Sequence, residues 1–223
     1  AQVLPRLRAR AGGTRVVRRR VLRIAAMPES EVDEIAAPVY SRFENPKTTI
    51  LGGVGQVELH LVAHGDGAAE ADSRLEELAA ALRAALPGRI YAEDGRDLPQ
   101  VVVGLLRERG LTLALAESCT GGLLSARVTD VPGASAVLER AFVTYANRAK
   151  IEETGVDPAL VERHGAVSEE VAAALAAGVL KVARAEVGVL ALPRGAGPSG
   201  GCAWHGANVS PTTPRGTHPH LSR

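Results

Sequence analysis

The chain has 223 residues, with 26 Lys plus Arg against 25 Asp plus Glu, and the resulting formal charge of +1 argues against a dedicated nucleic-acid binder. Hydrophobic residues make up 46% and aromatics only 3%, so the interior must be Ala, Val and Leu, which suits helices layered on a buried sheet better than an aromatic-rich β sandwich. Two cysteines, Cys119 and Cys202, exclude a disulfide framework and a four-ligand zinc site; a reducing cytoplasm is the expected compartment, with no metal and no cofactor.

The longest apolar run, residues 171–180, is far short of the roughly 20 residues that cross a bilayer, and no basic-then-apolar leader opens the chain. Neither secretion nor a membrane partner is expected. The chain starts at Ala1 and reads as a piece of something longer on that side.

Residues 1–14 read as a linker. Eight of the 26 basic residues lie within residues 6–23, before the first acid, Glu29. A phosphate-binding arm would look like this, but no aromatic is interleaved for base stacking, and Val17, Val21 and Ile24 point instead to a solvated linker running into an edge strand. A helix follows from Pro28-Glu29-Ser30-Glu31, with acids in its first turn, and ends before Asn45-Pro46. Residues 48–51 and 54–63 form a hairpin about Gly52-Gly53. In its second strand Val57, Leu59 and Leu61 alternate with Glu58 and His60, which makes His60 a solvent-face residue. Leu75, Leu78, Leu82 and Leu86 recur at helical spacing until Pro87-Gly88, and residues 89–91 close the unit as a short strand. Residues 15–95 are thus a small α+β domain.

Residues 96–192 read as a layered α/β domain with a mainly parallel sheet. Val101, Val102, Leu105 and Leu106 mark a helix ending at Gly110. Residues 111–116 are a continuous apolar run, the mark of a strand covered on both faces. A turn, Glu117-Ser118-Cys119-Thr120-Gly121-Gly122, then opens a helix that runs through Arg127. Residues 138–145 read as a strand, 147–153 as a helix, 169–185 as an Ala-rich helix capped by Ser168, and 187–192 as a buried strand. From Pro193 the last 31 residues carry five of the 13 prolines, six glycines and no acid, so residues 193–223 are expected to be a disordered tail that adds no strand to the sheet.

The turn after the first buried strand is the sharpest site. Ligands of open α/β sheets collect beyond the carboxyl ends of the strands, and the amides of Thr120, Gly121 and Gly122 suit a phosphate or an oxyanion. A helix cap with a tight turn accounts for the same residues, and spacing leaves both readings open. Ser118 and Cys119 are both candidate nucleophiles. A Cys-His pair would need His164, which reads as a loop residue, so Cys119 is expected to be a small buried filler. If a strand ends near Tyr145 and a helix begins near Asn147, Tyr145 and Lys150 fall at the same sheet edge as Ser118, where the three could form a Ser-Lys hydrolase site. Spacing alone reads Lys150 as a surface lysine.

Ala116-Glu117-Ser118-Cys119-Thr120-Gly121-Gly122, Thr129-Asp130-Val131-Pro132-Gly133, residues 142–150 and His164-Gly165-Ala166-Val167-Ser168 appear in order, and together they resemble the C-terminal domain of the CinA family of competence/damage-inducible proteins. Met27-Pro28-Glu29-Ser30, the glycine hairpin and Ile90-Tyr91-Ala92-Glu93-Asp94 resemble its middle, KH-type domain. The resemblance covers about residues 15–192. It implies hydrolysis of nicotinamide mononucleotide to nicotinate mononucleotide and ammonia, with Ser118 as nucleophile and Tyr145 and Lys150 as its activating partners, which reverses the surface reading of Lys150. It also implies Gly197 and Gly200 as substrate-binding residues of a loop that 192–201 match only in part, so that an impaired pocket is expected. The family's molybdopterin-binding-like domain has no counterpart here, and its pyrophosphatase activity is not implied. A small-molecule nucleotide is the expected partner, with a homodimer left open. The rival reading is a nucleic-acid module built on the basic arm and the KH-type unit; against it, the Gly52-Gly53-Val54-Gly55 string joins strands, whereas a KH clamp joins helices.

Overall fold

The alternation of Val57, Leu59, Leu61 and Ala63 with polar neighbours produces the central hairpin strand of the first unit, in which every one of those four side chains is buried. The architecture is that of a computed structural model describing residues 16–53, 55–191 and the backbone of 204–209. The chain divides between Val101 and Val102 into two compact units.

The first unit runs β1 (Val16–Ala25), α1 (Glu29–Tyr40), β2 (Lys47–Gly53), β3 (Gln56–Gly65), α2 (Ala68–Ala85) and β4 (Ile90–Ala92). Its antiparallel sheet has the order β2-β3-β1-β4. Leu22 and Ile24 of β1 join the buried residues of β3, Val32 and Ala36 of α1, and Leu75, Leu78 and Leu82 of α2 in one core. The expectation of an edge strand is corrected for β1: β4 pairs with it near its end, at Arg23 and Ile24, leaving β2 and β4 at the edges. Three of the β1 arginines are drawn into ion pairs, while residues 6–15 of the basic stretch lie outside the described residues. Arg18 meets Asp72 at 3.6 Å, Arg20 meets Glu76 at 2.5 Å and Glu93 at 3.6 Å, and Arg23 meets Glu58 at 3.2 Å. Gly52 and Gly53 end β2, and Gly55 precedes β3, so the GxxG string lies between strands. His60 is half-buried on the outer face, its Nε2 2.7 Å from Glu58.

The second unit begins in α3 (Leu98–Arg109) and continues β5 (Leu113–Glu117), α4 (Leu123–Thr129), a 3-10 turn (Ala134–Ala136), β6 (Leu138–Val143), α5 (Asn147–Thr154), α6 (Pro158–His164), α7 (Glu169–Ala183), β7 (Val187–Ala191) and β8 (Trp204–Val209). The sheet order is β6-β5-β7-β8, parallel except at the last pair. All five residues of β5 are buried. Leu113 and Leu115 pack towards Val103, Leu106 and Val128, while Ala114 and Ala116 pack towards Val171, Leu175 and Val179 of α7, so helices cover both faces. The fold is therefore mixed α/β with a mainly parallel sheet, preceded by a small antiparallel α+β unit.

Two expectations are corrected here. His164 ends a helix, α6, whose Asp157 N-cap accepts from Ala159 N and whose first residue is Pro158. The sheet also continues beyond β7: β8 pairs antiparallel with it from Val187↔Val209 to Ala191↔Trp204. The tail has no apolar run, but an edge strand is held through backbone hydrogen bonds along one side and does not need one. The remaining tail residues, Gly197 and Gly200 among them, lie outside the described residues.

Candidate active site

Parallel register brings three strand ends to one edge. Glu117 at the end of β5 lies opposite Val143 of β6 on one side and Ala191 of β7 on the other. The chain leaves β5 through Ser118, whose N–H donates to Ala191 O at 3.3 Å, and leaves β6 through Thr144, whose N–H donates to Glu117 O at 2.7 Å. The turn then closes with Gly121 and Gly122 at φ +58° and +104°, two successive left-handed residues that side chains with a Cβ would strain. That backbone requirement explains the Gly-Gly pair.

Lys150 stands in the first turn of α5, yet it is only 2% exposed. Its Nζ lies 3.4 Å from Ser118 Oγ, itself 8% exposed, and donates to the carbonyls of Thr144 at 2.8 Å and Tyr145 at 3.1 Å. Burial holds its amine below the usual lysine value. Among the described residues no carboxylate pairs with it. Within α5 the Thr154 hydroxyl donates back to Lys150 O at 2.5 Å, and the helix lies close against Gly178 of α7, where a Cβ would come within 2.2 Å of Thr154 O.

The structure thus brings Ser118 and Lys150 together, with the surface reading of Lys150 overturned. Tyr145 joins them through its main-chain carbonyl; its residue is 73% exposed. Cys119 is half-buried in the turn and belongs to no core cluster, which corrects its reading as a buried filler: it follows the strand rather than lying on it. His164 Nδ1 lies 3.4 Å from Glu170. Among the described residues no cluster of three or more His, Cys, Asp or Glu side chains could hold a metal ion, and no helix is long and apolar enough to cross a membrane.

The reading of the α4 amides as substrate donors is corrected for two of the three residues. Gly121 N–H donates to Ser118 O, and Gly122 N–H donates to Glu117 Oε2 at 3.0 Å. The same carboxylate accepts from Leu124 N–H at 2.9 Å, from Ser125 N–H at 2.8 Å and from the Ser125 hydroxyl. Thr120 remains, with its Oγ1 buried and no hydrogen-bond partner. Sequence reasoning missed Glu117. Its signal was an acid closing a five-residue strand with no other polar group, a position that must find partners. Burial pushes its carboxyl up, but the Ser125 hydroxyl and the amides of Ser125 and Leu124 prevail and hold it below the usual glutamate value; the Thr120 hydroxyl, near it but outside hydrogen-bond geometry, acts in the same direction.

The profile of the CinA C-terminal domain matches residues 95–207, and that of the damage-inducible protein CinA KH domain matches residues 19–92. A CinA-like protein of Solibacter usitatus is 45% identical over 177 residues, 79% of this chain and 42% of that protein. One from Geotalea daltonii is 38% identical over 201 residues, 90% of this chain and 48% of that protein. The chain therefore spans less than half the length of these curated relatives. Among solved structures, the competence/damage inducible protein CihA from Agrobacterium tumefaciens is 40% identical, with a TM-score of 0.43, over 48% of this chain and 64% of that one.

Proposed function

The chain belongs to the CinA family, and from that premise and the Ser118–Lys150 pair we propose that it is an amidohydrolase converting nicotinamide mononucleotide to nicotinate mononucleotide and ammonia. The observation that carries the reading is a buried lysine whose partners are one hydroxyl and two carbonyls. A neutral amine has two N–H groups and one lone pair. With both N–H groups donating to Thr144 O and Tyr145 O, the lone pair is left for the Ser118 hydroxyl proton, and burial favours that neutral state.

The steps follow. Ser118 Oγ attacks the carboxamide carbon while its proton passes to Lys150. Lys150 returns that proton to the amide nitrogen, the C–N bond breaks, and ammonia leaves an acyl-serine ester. Water then attacks the ester with Lys150 again taking a proton; the C–O bond to Ser118 breaks, the serine recovers its proton, and nicotinate mononucleotide departs. The oxyanion donor is assigned to Thr120, two residues beyond the nucleophile in the same turn. The exposed ring of Tyr145 offers an aromatic face to the cationic pyridinium.

Ammonia release from nicotinamide mononucleotide by the full chain, with Ser118→Ala as the control, tests the proposal. Release above the Ser118→Ala level is expected. Equal release by the two proteins would end this reading.

A further inference from the structure

Helix α4 has no local cap. Its N-cap residue is Gly122, which has no side chain to accept from the first turn. The acceptor comes instead from Glu117, five residues upstream and on the sheet. Glu117 is fully buried; its carboxylate takes the N–H groups of Gly122, Leu124 and Ser125 together with the Ser125 hydroxyl, and its main-chain carbonyl takes the N–H of Thr144. One residue therefore ties three things: the end of β5, the start of α4, and the residue whose carbonyl receives the Lys150 amine. Ser118 is the next residue, and residues 118–121 span the gap between the two ends of the clamp.

We propose that Glu117 is the positioning residue of the nucleophile turn, its buried carboxylate holding Ser118 against Lys150 by fastening the first turn of α4 to the end of β5. The proposal rests on the reading of Ser118 and Lys150 as nucleophile and base, though not on the identity of the substrate. The left-handed backbone at Gly122, φ +104°, bars a side-chain cap at the usual position. A cap supplied from the strand makes the loop geometry depend on it. The same arrangement fills the positive end of the helix with the protein's own charge, so an anionic substrate group finds no donors at Gly122, Leu124 or Ser125.

The test is the rate at which a fluorophosphonate modifies Ser118 in the full chain, followed by mass spectrometry. In that reaction an Oγ–P bond replaces the P–F bond, the serine proton goes to Lys150 and fluoride leaves. Glu117→Gln keeps the shape but turns one acceptor into a donor facing N–H groups. It should lower the maximal rate about tenfold or more, since misplacement by a fraction of an ångström is felt at a reacting atom. The probe concentration for half-maximal rate should stay within about twofold, because the Glu117 carboxylate is buried and taken up by the protein's own donors, and circular dichroism should show a native chain. Wild-type reactivity of Glu117→Gln overturns the proposal, and so does a loss that only matches the loss of native protein. If Glu117→Gln fails to fold, Ser125→Ala decides: removal of one donor should slow modification about threefold with the melting temperature held, and an unchanged rate overturns the proposal. Inert Ser118 in the wild-type chain also overturns it. A chain that is modified at Ser118 but releases no ammonia from nicotinamide mononucleotide refutes the assigned substrate and leaves Glu117 standing.

Discussion

Gly178 lies on α7, away from the proposed chemistry, yet its replacement by Ala should act on the rate more than on stability. The added Cβ would sit 2.2 Å from Thr154 O and 3.1 Å from Thr154 Cβ. Ordinary contact begins near 3.4 Å, so α5 and α7 must separate by about 1.2 Å (3.4 less 2.2), and the obstructing atom is backbone that no rotamer change can move. Overpacking of this kind costs about 1–3 kcal/mol, while replacing Gly by Ala within a helix returns about 1 kcal/mol. The net loss is about 0–2 kcal/mol, too small to unfold a typical domain. The displaced helix carries Lys150, however, and its Nζ is already 3.4 Å from Ser118 Oγ. Misplacement of a catalytic group by about 1 Å can cost about 100-fold in rate. Urea unfolding and ammonia release on the same preparation separate the two effects. Loss of stability within about 2 kcal/mol with kcat down about 100-fold is the expected result. Full kcat in Gly178→Ala would refute the claim that the α5–α7 contact sets the position of Lys150.

Lys150→Met should retain a native circular dichroism spectrum and lose about 10²- to 10⁴-fold in kcat, the range for a general base. Because burial holds the folded-state amine below its ordinary value near 10.5, the unfolded chain binds a proton that the folded chain does not, between the lowered value and 10.5. Stability contributed by Lys150 therefore rises with pH across that window; denaturation of wild type and Lys150→Met over pH should show the difference growing in favour of wild type, and a pH-independent difference would count against a depressed amine. Ser118→Ala should abolish ammonia release while Cys119→Ala keeps it, and the reverse pattern would transfer the nucleophile to Cys119. Tyr145→Ala should raise KM more than it lowers kcat, since the main-chain carbonyl that receives Lys150 survives the substitution; a selective fall in kcat would instead assign the phenol a part in proton transfer.

The elements that were legible in the sequence are those whose burial is periodic. The alternating strand β3, the continuous apolar strand β5 and the Ala-rich helix α7, whose Ser168 hydroxyl accepts from Val171 N–H at 3.3 Å, all follow from side chains that must leave water. The site was less legible because its two decisive side chains break that rule. Asn147, Arg148, Lys150, Glu152 and Glu153 make α5 polar on every side, so no periodicity singles out Lys150; only the tertiary placement of α5 buries it. Glu117 is a single acid at the end of an apolar run, and its hydrogen bonds lie on residues that come later in the chain. The six residues of β8 show a third limit: an antiparallel edge strand is specified by the backbone of its neighbour, which no local composition reports.

Two buried charges of opposite sign at one sheet edge would ordinarily pair, and a Lys150–Glu117 ion pair would hold the amine protonated and useless as a base. Their partners keep them apart in chemistry. The carboxylate is surrounded by N–H and O–H donors that stabilise its charge, which its contribution to stability then reflects: present above the ordinary glutamate value of 4.5 and lost as pH falls through the lowered folded value. The amine faces two carbonyls and a hydroxyl, which can accept from it but carry no charge to hold its third proton. Donors for the acid and neutral acceptors for the base sort the pair into a permanent anion that shapes the turn and a labile cation that can give up its proton. In the proposed mechanism the acid is satisfied locally, by α4, which leaves the amine free to serve Ser118.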